Sequence, residues 1–152
     1  MSLQNWLQIS KVIKHQATVA EVRNLLGVVD RELADAAVAA LSDDGRFTHA
    51  YDAALLLCKL ALHAEGFEVA KREPGHDSLW INSLEFTLGA AHSSTILLLS
   101  KSSTLRHLSL YNQAGVVQKK DADDLLQTAR QLRADVLKWL RSLHSALIPT
   151  GF

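Results

Sequence analysis

Cysteine is nearly absent: Cys58 is the only one in 152 residues. A lone thiol excludes a disulfide within the chain and suits a reducing cytoplasm. It lies in AALLLCKLAL, where a small core residue is a better reading than a nucleophile. Glycine is sparse and scattered, 7 in all, and no two stand at the spacing of a phosphate-cradling loop. Net charge is absent too, since 16 basic residues balance 16 acidic ones. That excludes a global footprint for DNA or RNA, so a nucleic-acid partner would need a local basic patch. Long apolar runs are missing. The longest are Ala36 to Leu41 and Ala53 to Cys58, whereas a membrane-spanning helix needs about 20 such residues. The first residues, MSLQNWLQISKVIKHQ, lack the apolar stretch of a secretory signal. A cytoplasmic protein without a membrane partner is expected.

What is present is a core. The chain is 48% hydrophobic with only 2 prolines, a composition that packs well and suits one domain over residues 1–152. Residues 1–17 read as an extension or a short helix, from Leu3 to His15 at most. Thr18 is placed to cap a helix reaching about Leu41, with Val22, Leu25, Leu26, Val29 and Leu33 at helical spacing. SDDG then makes a polar turn. A second helix, about Arg46 to Glu65, is apolar on most sides and so belongs at the centre of a bundle. Residues 68–78, EVAKREPGHDS, read as the longest loop. Asp77 or Ser78 would cap a short helix over LWINSLEFTL, although the alternation of Leu84, Phe86 and Leu88 also permits a strand. Ser93 or Ser94 opens a further helix through Leu110, although STILLLS alone also permits a strand. Asp121 caps the last one, whose stripe runs Leu125, Ala129, Leu132, Val136, Leu140, Leu143 and Leu147 before Pro149. The expected fold is all-α, an antiparallel bundle of four to five helices.

Most catalytic chemistry can be set aside. HExxH and GxSxG are absent. His63-Ala64-Glu65 matches the HxE fragment of zinc deaminases, but that chemistry needs two downstream cysteines. No two of the 7 histidines stand four apart, so neither a metal nor another cofactor is expected. The carboxylate pairs Asp43-Asp44 and Asp123-Asp124 sit at helix ends, where capping explains them. Two features remain. One is the loop around His76, with Lys71, Arg72 and Asp77 close by. The other is LRHLSLYNQAG, residues 105–115. On a helix His107 and Tyr111 stand four apart and can touch. Arg106 shares its face with Ser102, Ser103 and Leu110, and Asn112 opens the following turn. Arginine offers a planar fork for phosphate, histidine carries protons near neutral pH, and tyrosine can stack on a base. The plainer reading is an exposed Arg106, an exposed or capping His107 and a half-buried Tyr111.

RNLLGVVDRELADA, DDGRFTHAYDAALLLCKLALHAEGF, GHDSLW, RHLSLYNQAGVV and DADDLLQTARQLRADVLKWL together resemble a bacterial branch of the HEPN domains. The resemblance runs from about residue 23 to 141. It implies a small all-α bundle, commonly dimeric. Many HEPN domains are metal-independent ribonucleases of toxin–antitoxin and antiphage systems; others are inactive binding modules. The family motif is an arginine, often a polar residue after it, then a histidine after four to six intervening residues. Arg106 matches the arginine and His107 the polar slot, but Tyr111 stands where the histidine should be. Tyrosine, with a reference pKa near 10, is a poor base at neutral pH. The resemblance therefore implies a non-catalytic HEPN-like module. It would bind nucleotide, RNA or a protein such as an antitoxin or nucleotidyltransferase, as a homodimer. Arg106, His107 and Tyr111 would carry the site, with Ser102, Ser103, Asn112, His76 and Arg72 as further binding candidates. A ribonuclease with an altered motif and a purely structural assembly bundle are the alternatives. Leu97, Leu98, Leu99, Leu105, Leu108 and Leu110 nearly encircle their helix, so that helix should contribute to an interface.

Overall fold

A computed structural model describes every residue, Met1–Phe152. The long elements are helices. α1 spans Leu3–Gln8, α2 Val19–Ala36, α3 Asp43–Ala64, α4 His76–Thr87, α5 Ser93–Tyr111 and α6 Lys119–Leu143. Two three-residue strands, β1 (Val12–Lys14) and β2 (Phe67–Val69), form the only sheet. The all-α bundle expected from the pattern is what forms.

α3 is the axis of the molecule. Small residues (Ala50, Ala53, Ala54, Cys58, Ala61) alternate with Leu57, Leu60 and Leu62, and all are buried. The small side chains let neighbouring helices approach from several sides, and α2, α4, α5, α6 and β2 all pack on α3. Ser42 caps it by accepting from the Gly45 N–H at 3.0 Å. α2 and α6 are simpler: each buries one stripe, Val22, Leu26, Val29, Leu33 and Ala36 on α2, and Ala122, Leu125, Ala129, Leu132, Val136 and Leu140 on α6. Side chains fix the helix directions. Arg46, at the start of α3, donates to the Ala36 carbonyl at the end of α2 (2.9 Å) and meets Asp123 at the start of α6 (2.7 Å). Glu65, just past α3, meets His144, just past α6, at 3.1 Å. α2 therefore runs against α3, and α6 runs with it.

Several boundaries differ from the sequence pattern, each for a local reason. α2 stops at Ala36 instead of Leu41, because Arg46 takes its last carbonyl and the chain turns to reach Ser42. The N-terminal helix ends at Gln8 rather than His15. The chain reverses at Ser10, whose φ is 61°, and then pairs as β1. β1 runs antiparallel to β2, with Val12 opposite Val69 and Lys14 opposite Phe67. The polar loop thus begins only after Val69. The ribbon and α1 enclose a second small core of Leu3, Trp6, Val12, Leu62, Phe67 and Val69. α4 begins at His76 behind Gly75, whose φ is 67°, so neither Asp77 nor Ser78 caps it. Residues 79–99 are helical apart from one tight turn at Gly89–His92. His92, not Ser93 or Ser94, precedes α5, and its side chain makes no cap bond. In α6, Gln118 takes the cap position and Asp121 lies one turn in, accepting from the Gln118 N–H at 3.0 Å. α6 ends at Leu143, and Leu147 belongs to a separate short turn. No helix is long and apolar enough to cross a membrane.

Candidate functional site

Arg106 lies on the inner edge of α5, against α3. Its Nη2 meets Asp52 Oδ1 at 3.0 Å, and its guanidinium stands 5.1 Å from the centre of the Tyr51 ring. Its Nε is buried without a partner. Tyr51 is itself fully buried. Burial pushes its hydroxyl up to about 12, although the Ser103 hydroxyl beside it works in the opposite direction. The Tyr51 hydroxyl points to Asp77 Oδ2, 3.4 Å away at the start of α4. Burial likewise raises Asp52, against the opposing pull of Arg106, and the negative charges of Glu32 and Asp77 add to the rise. Three helices thus bring Tyr51, Asp52, Asp77, Ser103 and Arg106 into one polar cluster.

One turn away, His49 donates through Nδ1 to Glu32 Oε2 at 2.6 Å, and Arg31 holds the other oxygen at 2.9 Å. Burial would raise the Glu32 carboxyl, but these bonds outweigh it and hold it below the usual range. A cleft between α3 and the end of α5 is lined by Asp44, Thr48, His49, Ser109 and Leu110.

The residues singled out by sequence do not form one site. Arg106 and Ser103 belong to the cluster. His107 and Tyr111 meet with ring centres 5.0 Å apart and planes tilted by 52°, on the outer face of α5, where Tyr111 is 71% exposed. Asn112, just past that helix, is exposed as well. Ser102 is buried and lines a different cleft with Phe47, Leu98 and Leu105. His76 starts α4 and stands edge-on to Trp80, 5.9 Å between ring centres. Arg72 is exposed near Ser10 and Ile13. Sequence reasoning missed Tyr51 and Asp52, although both interrupt the alanine and leucine run of α3. Those interruptions were the available signal.

It also missed a second polar cluster, at the other end of α3. His15, which follows β1, donates through Nδ1 to Glu68 Oε2 at 2.6 Å and through Nε2 to Glu21 Oε2 at 2.8 Å. His63 donates through Nδ1 to Glu21 Oε1 at 2.6 Å. The two imidazole centres are 4.3 Å apart. Burial lowers the His63 pKa. At His15 burial opposes protonation, but Glu21 and Glu68 outweigh it and raise the pKa. Glu21 is lowered, its burial outweighed by bonds from the two imidazoles. A cleft of about 250 Å³ opens beside this cluster, lined by Lys59, His63, Glu68, Val69, His76 and Trp80. Metal-ligating atoms gather within 4.8 Å of one another at two places, His15–Glu21–His63 and Glu32–Asp35–His49.

The Arg106 cluster can hold charge, but its best hydroxyl, Tyr51, is buried and resists ionisation. No protein-family model, curated protein or solved structure matches the chain.

Proposed function

We propose that this chain is a HEPN-like helical module that binds rather than cleaves. It pairs with a second copy along the outer face of α5, and His107 and Tyr111 on that face meet a nucleotide or a single-stranded RNA near the seam, while Arg106 stays turned onto Asp52. The separation of Arg106 from Tyr111 carries the non-catalytic reading. Arg106 is turned inward onto Asp52, while Tyr111, in the place of the motif histidine, stands in solvent. A base and a cation aimed at one phosphodiester would have to converge. The pairing is supported by α5 itself. Leu97, Lys101, Thr104, Leu108 and Tyr111 fall on one exposed face, and two-fold pairing buries such a row against its own copy.

A ribonuclease is the second reading, and one observation favours it. His49 is oriented by Glu32 at 2.6 Å, and its charge acts on Asp52, the partner of Arg106. It could serve as the missing acid or base.

Three measurements decide. Light scattering after size exclusion should give a dimer, and Leu108→Glu a monomer. Fluorescence anisotropy should detect a single-stranded RNA oligonucleotide, with binding about 10-fold weaker for Tyr111→Ala, the loss expected for one stacked base. Incubation with RNA in EDTA should give no cleavage. Product that disappears in both Arg106→Ala and His49→Ala would establish the ribonuclease instead. A monomer that binds no RNA would overturn the module reading.

A further inference from the structure

We propose that His15, Glu21 and His63 form a binding site for a divalent transition-metal ion, zinc above all. Glu68 orients His15 from the outer shell. This site is separate from the Arg106 cluster and independent of how that cluster functions.

The ligands arrive from three parts of the chain. Glu21 lies in the first turn of α2, behind the Thr18 cap. His63 lies in the last turn of α3. His15 follows β1, where its backbone N–H donates to the Gly66 carbonyl at 2.9 Å. The β1–β2 pairing places Glu68 within reach of the same imidazole. Long-range structure therefore brings together two nitrogens and a carboxylate, a set suited to zinc.

The atoms are close to coordinating positions. Tetrahedral zinc holds nitrogen and oxygen at about 2.0–2.2 Å, which separates neighbouring ligand atoms by roughly 3.3 Å. His15 Nε2 and His63 Nδ1 now lie 2.8 and 2.6 Å from the two oxygens of Glu21. Opening those contacts by several tenths of an ångström admits the ion. The His15–Glu68 bond, at 2.6 Å, leaves Nε2 as the metal-facing nitrogen. A carboxylate on the far nitrogen is the usual way a ligating imidazole is oriented. Charge also balances. Two carboxylates face His15, which bonds to one through each ring nitrogen. A metal ion replaces the proton on His15 Nε2, and that proton leaves to solvent. His63 keeps one proton, moved from Nδ1 to Nε2. Three protein ligands leave a fourth position for water, and the cleft beside His63 reaches His76 and Lys59.

The other group, Glu32–Asp35–His49, is weaker. Arg31 already occupies Glu32, and His49 has no second carboxylate bonded to its other ring nitrogen as His15 has.

The test uses the full chain freed of metal by a chelator. Zinc titration by calorimetry should give one ion per chain with a dissociation constant near or below ~1 µM, and cobalt(II) should show the intense visible bands of tetrahedral coordination. Glu21→Gln and His63→Gln should each weaken binding about 100-fold or more, and Glu68→Gln about 10–100-fold, as outer-shell partners do. His49→Gln should leave binding unchanged. Circular dichroism checks that each variant folds. If His63→Gln does not fold, nitrogen NMR of the wild-type histidine rings decides, since zinc must shift His15 and His63. Absence of zinc binding, ring shifts at His49 instead, or binding indifferent to Glu21→Gln and His63→Gln would overturn the site.

Discussion

Arg106 ties α5 to α3 through a single side chain. It neutralises Asp52, covers Tyr51 and buries its own Nε. Arg106→Ala should cost about 1–2 kcal/mol in urea denaturation, between the value of an exposed pair and that of a buried one. Arg106→Lys should recover only part of this, because an ammonium keeps the charge but not the planar contact with the ring. Cys58 makes a different kind of probe. It is fully buried on α3, and burial pushes its thiol far up. In native protein it should resist a thiol reagent, and its slow reaction rate should follow global unfolding. Fast labelling would show that α3 opens locally. The core role of Cys58 was legible from AALLLCKLAL alone. The partner of Arg106 was not, because Asp52 lies 54 residues earlier, the difference between positions 106 and 52, and no helical spacing links them.

Single contacts also set how the helices join. Asp44, in the first turn of α3, accepts from the Gly115 N–H at 2.9 Å and the Val117 N–H at 3.4 Å, which pins the α5–α6 loop. The Gly115 bond holds its carboxyl below the usual range, against a smaller effect of burial. A carboxylate lowered in the fold stabilises at pH values above its unfolded pKa, about 3.9, and that contribution is lost as pH falls through the lower folded value. Asp44→Ala should therefore cost about 1 kcal/mol at pH 7. Below about pH 4 its stability should fall less steeply than that of the wild type, as acid titration with chemical denaturation would show. Gly66 matters for its backbone. Its φ is 99°, where it turns α3 into β2. Gly66→Ala should cost about 1–3 kcal/mol by thermal melting, through strain alone, since the nearest atom to an added Cβ is 3.7 Å away. α2, α3 and α6 were legible because their stripes span several turns. β1 and β2 were not: three residues each are too short to show a period, and their pairing joins distant segments.

For the molecule as a whole, α5 is the open side. Leu99 and Ser102 are its only fully buried residues, whereas Leu97, Leu108 and Leu110 are exposed. The ring of leucines in the sequence thus marked a helix with one covered face and one bare one. Which face was bare depended on the placement of α3 and α4. α3 lies in the first half of the chain but at the centre of the packing, with α2 and α6 on it. This arrangement also shapes how the chain folds. α2 and α6 bury their stripes mainly on α3, so the expected order has α3 recruiting them at the folding barrier and α4 and α5 docking later. Leu57→Ala and Leu60→Ala should slow refolding, whereas Leu84→Ala should mainly hasten unfolding, as stopped-flow chevrons would show.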